Sequence, residues 1–283
     1  MKIKELIFYP IKSCRGIHLS HAKVGDKGLS DYNNSLYYDR TFMIVDESGK
    51  FITQRQHPQL ARVIVTIDGE KITLSFDNSS MDSITFTPQN QGNMVEVQVW
   101  GDRTLAIDQG KEVAQWFQEI LSVKNCRLVK QDDYNIRAIN PQYSTQSNQP
   151  VSFADGFPYL LTNTASLDYL NQKLEDKYPH QQQQISMDRF RPNIVIETDT
   201  PFIEDTWENI TLGEIKFKIV KPCSRCQITT TNQKTGMVNS LNEPLKTLST
   251  FRNIPQQGIM FGQNMIALNH GKLTQSPPLS PSP

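Results

Sequence analysis

Glu214-Ile215-Lys216-Phe217-Lys218-Ile219-Val220 alternates apolar with polar residues and runs directly into Lys221-Pro222-Cys223-Ser224-Arg225-Cys226-Gln227-Ile228-Thr229-Thr230-Thr231. A two-residue period is that of a half-buried strand, so a sheet delivers two cysteines and an arginine to its end. The β-branched residues that follow predict that extended chain continues through Thr231. A thiolate is a soft ligand and a nucleophile, and a neighbouring guanidinium both favours the ionised sulfur and offers a planar fork to an anion.

From these residues alone, four readings of the pair stay open. One or both thiols could simply pack, as free cysteine often does. A redox dithiol fits less well, because such a pair usually opens a helix and here a strand is expected after it. Cys223 and Cys226 have the spacing of a zinc half-site, which His18 and His21 could complete from far away in the chain. A soft redox metal or metal cofactor held through one thiolate is the fourth. Lys12, Arg40, Arg189, Arg191 and Arg225 would then neutralise an anionic cofactor.

Composition narrows the partners. The chain's 29 basic and 29 acidic side chains cancel, so no global field draws it to nucleic acid or anionic lipid, and neither is expected as a partner. Four cysteines, at 14, 126, 223 and 226, are too few and too scattered for a disulfide framework in 283 residues, which suits a reducing compartment. Met1 to Pro10 reads as a strand and has no signal-like apolar core, and no run approaches the roughly 20 apolar residues of a membrane helix. A cytoplasmic protein without a membrane span is expected.

Outward from the cysteine segment, strand signals dominate. Strands are expected over residues 3–11, from Leu36 to Val45, and after the Asp46-Glu47-Ser48-Gly49 turn at Phe51-Ile52-Thr53. More follow from Ala61 to Ile67, Lys71 to Phe76, Ser83 to Thr87, Met94 to Trp100 and Thr104 to Asp108. Val113, Trp116, Phe117, Ile120 and Leu121 lie at helical spacing within Lys111 to Val123. A strand from Cys126 to Lys130 and a long polar loop over 131–150 come next. Thr164 is placed to cap a helix buried through Leu167, Leu170 and Leu174, ending near Pro179. His180 to Gln184 reads as a solvated loop, Arg189 to Ile196 leads into a strand, Leu245 to Phe251 is a short helix, and Gly258 to Leu268 is expected to be the last strand. The fold class is α+β and β-rich.

Ordered motifs spread over about residues 3–270 resemble the MOSC superfamily, named for the C-terminal domain of molybdenum cofactor sulfurase. They are Tyr9-Pro10-Ile11-Lys12-Ser13-Cys14-Arg15-Gly16, Asp39-Arg40-Thr41-Phe42-Met43, Thr53-Gln54-Arg55-Gln56-His57-Pro58, Phe190-Arg191-Pro192-Asn193-Ile194-Val195, Cys223-Ser224-Arg225-Cys226, Glu243-Pro244-Leu245-Lys246-Thr247-Leu248 and Phe261-Gly262-Gln263-Asn264. Within it the likeness is closest to the amidoxime-reducing components and bacterial reductases of N-hydroxylated compounds. The resemblance implies an N-terminal antiparallel β-barrel-like domain over 1–125 and a MOSC-type β-barrel with a few helices over 126–271. A disordered Ser/Pro-rich tail over 272–283 would follow.

The same resemblance implies a molybdenum cofactor, Mo-molybdopterin, with Cys226 as metal ligand and catalytic residue and Cys223 accessory. Lys12, Ser13, Arg40, Arg191, Asn193, Ser224 and Arg225, with the turn Thr162, Asn163 and Thr164, would hold the pterin and its phosphate. The implied reaction reduces small N-hydroxylated substrates such as amidoximes and hydroxylaminopurines. No four-cysteine cluster pattern is present, so electrons would come from a separate ferredoxin- or flavin-type donor. The alternatives within the superfamily are a cofactor carrier and a sulfur-transfer protein using Cys226 without redox turnover. Relatives close their barrel with a strand after an Asn-x-Gly turn. Here Asn269-His270-Gly271 leads into Ser/Pro-rich sequence, so that strand is expected to be missing or short.

Overall fold

The computed structural model describes residues 2–77, 80–181 and 183–276. It is β-rich α+β, with mainly antiparallel sheets and three α-helices, Lys111–Leu121, Thr164–Lys177 and Leu245–Leu248, among the described residues.

The largest sheet runs in the order Asn209–Leu212, Ile215–Ser224, Gly258–Ala267, Tyr159–Asn163, Ile194–Glu197, Lys2–Phe8 and Ile17–Leu19. The N-terminal strand thus lies among strands of the second half, with Leu6 opposite Ile194. Tyr159–Asn163 and Ile194–Glu197 are parallel, and the helix Thr164–Lys177 supplies the crossover such a pair requires. Ile194, Val195 and Ile196 are all fully buried, the continuous apolar run expected of a strand covered on both faces.

A second sheet orders Phe42–Val45, Arg127–Gln131, Asp102–Asp108 and Met94–Val99. Two smaller sheets join Val63–Asp68, Lys71–Phe76 and Ile84–Phe86, and Gly271–Thr274, His21–Gly25 and Gly28–Asp31. One core cluster draws on both halves of the chain, including Leu6, Phe42, Phe117, Tyr159 and Phe217.

Several expectations need correction. The helix after Asn163 is capped by Asn163 itself, whose side chain accepts from the Ala165 amide at 3.2 Å; Thr164 is the first helical residue. The strand expected from Leu36 begins only at Phe42, because Thr41 Oγ1 and its amide tie back to Tyr38 and close a turn. His21 lies in a strand that patterning did not suggest. The closing strand expected to be missing or short is present and short: the four residues Gly271–Thr274 pair antiparallel with His21–Gly25, so ordered chain continues past residue 272. Asn269 forms the preceding turn, accepting from the Lys216 amide and donating to Glu214 O. Residues 277–283 lie outside the described residues.

The chain after Cys226 also departs from expectation. Gln227–Thr230 is one turn of 3₁₀ helix. Thr229 Oγ1 donates to Cys226 O at 3.0 Å and Thr230 Oγ1 to Gln227 O at 2.8 Å, so the hydroxyls satisfy a turn locally and override the β-branched preference for a strand.

Candidate functional site

The strand Ile215–Ser224 leaves regular register with Gly258–Ala267 at Ile219/Lys221 and again at Pro222/Ser224. Pro222 has no amide to donate and sits at this irregular stretch, which turns the strand end away from its neighbour. Gly258 permits the close approach there: its φ is 102°, and a Cβ would stand 2.6 Å from Ser224 Oγ. The Arg225 amide then returns to Ile259 O at 2.7 Å.

One cleft receives Lys12, Ser13, Arg40, Arg191, Asn193, Cys223, Ser224, Arg225 and Cys226, nine of the predicted positions drawn from four distant segments. Thr162, Asn163 and Thr164 do not line it. Asn163 Nδ2 is spent on Thr198 Oγ1, Thr200 O and Glu204 Oε2, and the Thr162 side chain is buried in the sheet. The family resemblance implies a phosphate-binding turn at this place. Asn163 instead serves the helix and the Glu204 pocket, and Thr162 Oγ1 is buried with no hydrogen-bond partner.

Cys226 is exposed, whereas Cys223 is half-buried and its sulfur accepts from Arg225 Nη1 at 2.9 Å. Arg225 Nη2 donates to Phe190 O at 2.6 Å, which leaves Nε buried with no acceptor. The pair is therefore asymmetric: one sulfur anchors the arginine and the other faces the opening. A dithiol pair was disfavoured on the ground that a strand follows, and the 3₁₀ turn removes that ground. The guanidinium bonded to Cys223 is what now distinguishes the two sulfurs.

Arg191 is buried, with φ of 54°. Its Nη1 donates to Gln233 Oε1 at 3.3 Å, and its Nη2 is buried without an acceptor. Burial pushes its pKa down to about 10, which keeps it charged at neutral pH. Arg191 and Arg40 each place the guanidinium carbon 4.3 Å from the Tyr9 ring centroid, so one ring attracts both charges. Arg40 also pairs with the fully buried Asp39 and donates to Asn193 Oδ1 at 3.4 Å. Asn193 Nδ2 and Oδ1 bond Ile7 O and the Leu160 amide, so its side chain ties neighbouring strands together at the cleft wall.

Ser13, Arg40 and Arg191 all hold left-handed backbone, with φ of 70°, 52° and 54°. Such conformations cost a non-glycine residue about 1 kcal/mol or more each and tend to cluster at functional sites. Lys12 is buried: burial lowers its pKa, and Asp155, which accepts from Nζ at 2.5 Å, opposes that shift. Nζ also donates to Phe153 O at 2.8 Å.

Sequence reasoning missed Asp155, Phe51, Arg55, Trp100 and Asn264 as cleft residues. Arg55 lies within the Thr53 to Pro58 motif and Asn264 within Phe261 to Asn264, so both were recoverable from the sequence. A lone Asp after Ala154 and a Trp at a hairpin tip carry no such signal.

Zinc is not assembled: His18 pairs with Glu5 Oε2 at 3.2 Å, His21 bonds Thr274, and no group of three or more His, Cys, Asp or Glu able to hold a metal occurs among the described residues. The cleft instead offers one exposed sulfur, several cations and two buried donors lacking acceptors. That donor set suits an anionic group bearing a soft metal. No helix of the described residues is long and apolar enough to cross a membrane.

Residues 1–124 match the MOSC N-terminal beta barrel domain and residues 148–277 the MOSC domain. Mitochondrial amidoxime-reducing component 1 of Mus musculus is 31% identical over 268 residues, which is 92% of this chain and 74% of that protein. The Homo sapiens protein of the same name is 30% identical over 287 residues, 98% of this chain and 82% of its own length. Molybdenum cofactor sulfurase of Danio rerio is 29% identical over 262 residues, 89% of this chain but 30% of that protein.

Proposed function

The chain belongs to the MOSC family, with the N-terminal barrel domain followed by the MOSC domain, and on that premise we propose that it is a molybdenum-cofactor-binding oxidoreductase of N-hydroxylated compounds. The observation that carries this reading is an exposed thiol, Cys226, sharing a cleft with two buried guanidinium donors, Arg191 Nη2 and Arg225 Nε, that lack acceptors.

In this reading Cys226 Sγ ligates the metal, and Lys12, Ser13, Arg40, Arg191, Ser224 and Arg225 hold the pterin and its phosphate. When bound, molybdenum cofactor supplies two-electron, oxygen-accepting chemistry, which converts an N–OH group to N–H with release of water. The chain's own contribution is charge and position. Arg191 and Arg225 are pinned by Gln233, Phe190 O and Cys223, so both guanidinium groups are held in place before anything binds, and little ordering entropy remains to be lost. Cys223, engaged by Arg225, serves as an anchor and not as a second ligand. Electrons come from a separate ferredoxin- or flavin-type protein.

The test is reduction of benzamidoxime by protein from a cofactor-competent host, supplied with electrons through a reconstituted reductase chain. Turnover in the wild type and none in Cys226→Ser is expected. Tight cofactor binding with no turnover by the wild type would contradict the reductase reading and favour a carrier; cyanide-labile sulfur on Cys226 would favour sulfur transfer.

A further inference from the structure

Beside the cleft lies a second cavity of about 400 Å³ that shares the walls Phe51, Arg55 and Trp100 with it. Trp100 stands at the hairpin connection between Val99 and Asp102 with φ of 56°. That left-handed conformation suits Gly or Asn, and a bulky aromatic held there points to a use for the ring. Its indole Nε1 donates to Asp155 Oδ1 at 3.1 Å, and its ring meets Phe51 edge-on with centroids 5.2 Å apart.

Arg55 lies over this aromatic pair, its guanidinium carbon 4.6 Å from the Trp100 centroid and 5.7 Å from that of Phe51. Its Nε donates to Thr53 Oγ1 at 3.3 Å, and among the described residues no carboxylate pairs with its terminal nitrogens. The cavity's one carboxylate, Asp46, accepts from the Ser48 amide, the Ser48 hydroxyl and the Lys50 amide of its own turn. Lys50 also lines the cavity. The space therefore offers an edge-on aromatic corner beside a guanidinium whose charge no carboxylate among the described residues matches, at a volume suited to one small molecule.

We propose that this cavity is a substrate subsite for a planar aromatic ring bearing a carboxylate or phosphate. The ring packs on Phe51 and Trp100, the anion pairs with Arg55, and the N–OH substituent extends past the shared wall toward Cys226. Only the identity of that substituent rests on the reductase reading; recognition of the ring and anion stands on the cavity itself.

The test uses cofactor-free protein and tryptophan fluorescence, since Trp100 lines the cavity and is 47% exposed, while Trp116, 7% exposed, and the half-buried Trp207 lie outside it. Benzamidoxime, 4-carboxybenzamidoxime and its 4-phosphonooxy analogue are titrated in turn. An anionic compound is expected to bind at least about tenfold tighter than the neutral one, the effect of a single charge-assisted hydrogen bond. The tighter of the two anionic compounds identifies the preferred anion. Arg55→Gln should reduce the preference to about twofold or less, and Trp100→Phe should remove the quench, with circular dichroism showing both variants folded. Equal affinity for all three compounds, or a preference that survives in folded Arg55→Gln, would overturn the subsite. Cofactor-loaded protein that binds with this preference yet reduces none of the compounds would refute the reductase reading and leave the subsite standing.

Discussion

Replacing Arg191 with Gln separates what the cleft needs for folding from what it needs for its ligand. In the cofactor-free protein Arg191 contributes one 3.3 Å hydrogen bond to Gln233 and a contact with the Tyr9 ring. Together these stabilise by about 1–3 kcal/mol. Against them stands the buried Nη2 without an acceptor, at a cost of about 1–3 kcal/mol. The terms cancel to within about 2 kcal/mol, equivalent to at most about 4–8 °C in Tm for a chain of this size. A glutamine keeps the strained backbone and a donor for Gln233, so cofactor-free Arg191→Gln should melt within that range of the wild type by scanning calorimetry. Cofactor retention behaves differently, because a charge-assisted hydrogen bond contributes about 1.5–3 kcal/mol, or about 10- to 150-fold in affinity. Pterin content after gel filtration should fall accordingly. A Tm drop of more than about 8 °C with pterin content unchanged would show that Arg191 is a structural residue and refute the reasoning.

Gly49 holds φ of 80°, and a Cβ there would stand 2.3 Å from Glu96 O, so Gly49→Ala should destabilise by about 2–5 kcal/mol in urea unfolding. An unchanged midpoint would mean the Asp46 to Lys50 turn is not packed on that strand. Burial pushes the Glu243 carboxyl up, but Lys177 Nζ at 2.8 Å, the Thr247 amide at 2.9 Å and the Tyr178 hydroxyl at 2.9 Å together pull it below its ordinary value. A depressed carboxyl stabilises the fold fully above its unfolded pKa of about 4.3 and loses that contribution as pH falls through the folded value. Glu243→Gln should therefore lower stability at pH 7 by about 1–3 kcal/mol and flatten its decline below about pH 5; an equally steep decline in the variant would contradict the assignment.

The sequence announced residue types at this site better than it announced backbone. Lys12, Arg40, Arg191 and Arg225 were legible as basic residues inside the motifs that carry the family resemblance, and the fold does bring them into one cleft. The Thr162 to Thr164 turn misled because a capping Asn and a phosphate-binding Asn look alike until the partner is seen. Here the partner is Glu204, 41 positions away. Ile228, Thr229 and Thr230 carry strand propensity, yet two threonine hydroxyls bonding the backbone three residues earlier outweigh it. Trp100 and Asp155 gave no local signal, since what places them in the cleft is a hairpin tip meeting a loop 55 residues on.

The most direct measurement is molybdenum and pterin content of wild type, Cys223→Ser and Cys226→Ser, purified side by side from a cofactor-competent host. The account predicts near-stoichiometric molybdenum in the wild type, most of it kept in Cys223→Ser, and its loss from Cys226→Ser. Equal molybdenum in wild type and Cys226→Ser would contradict it.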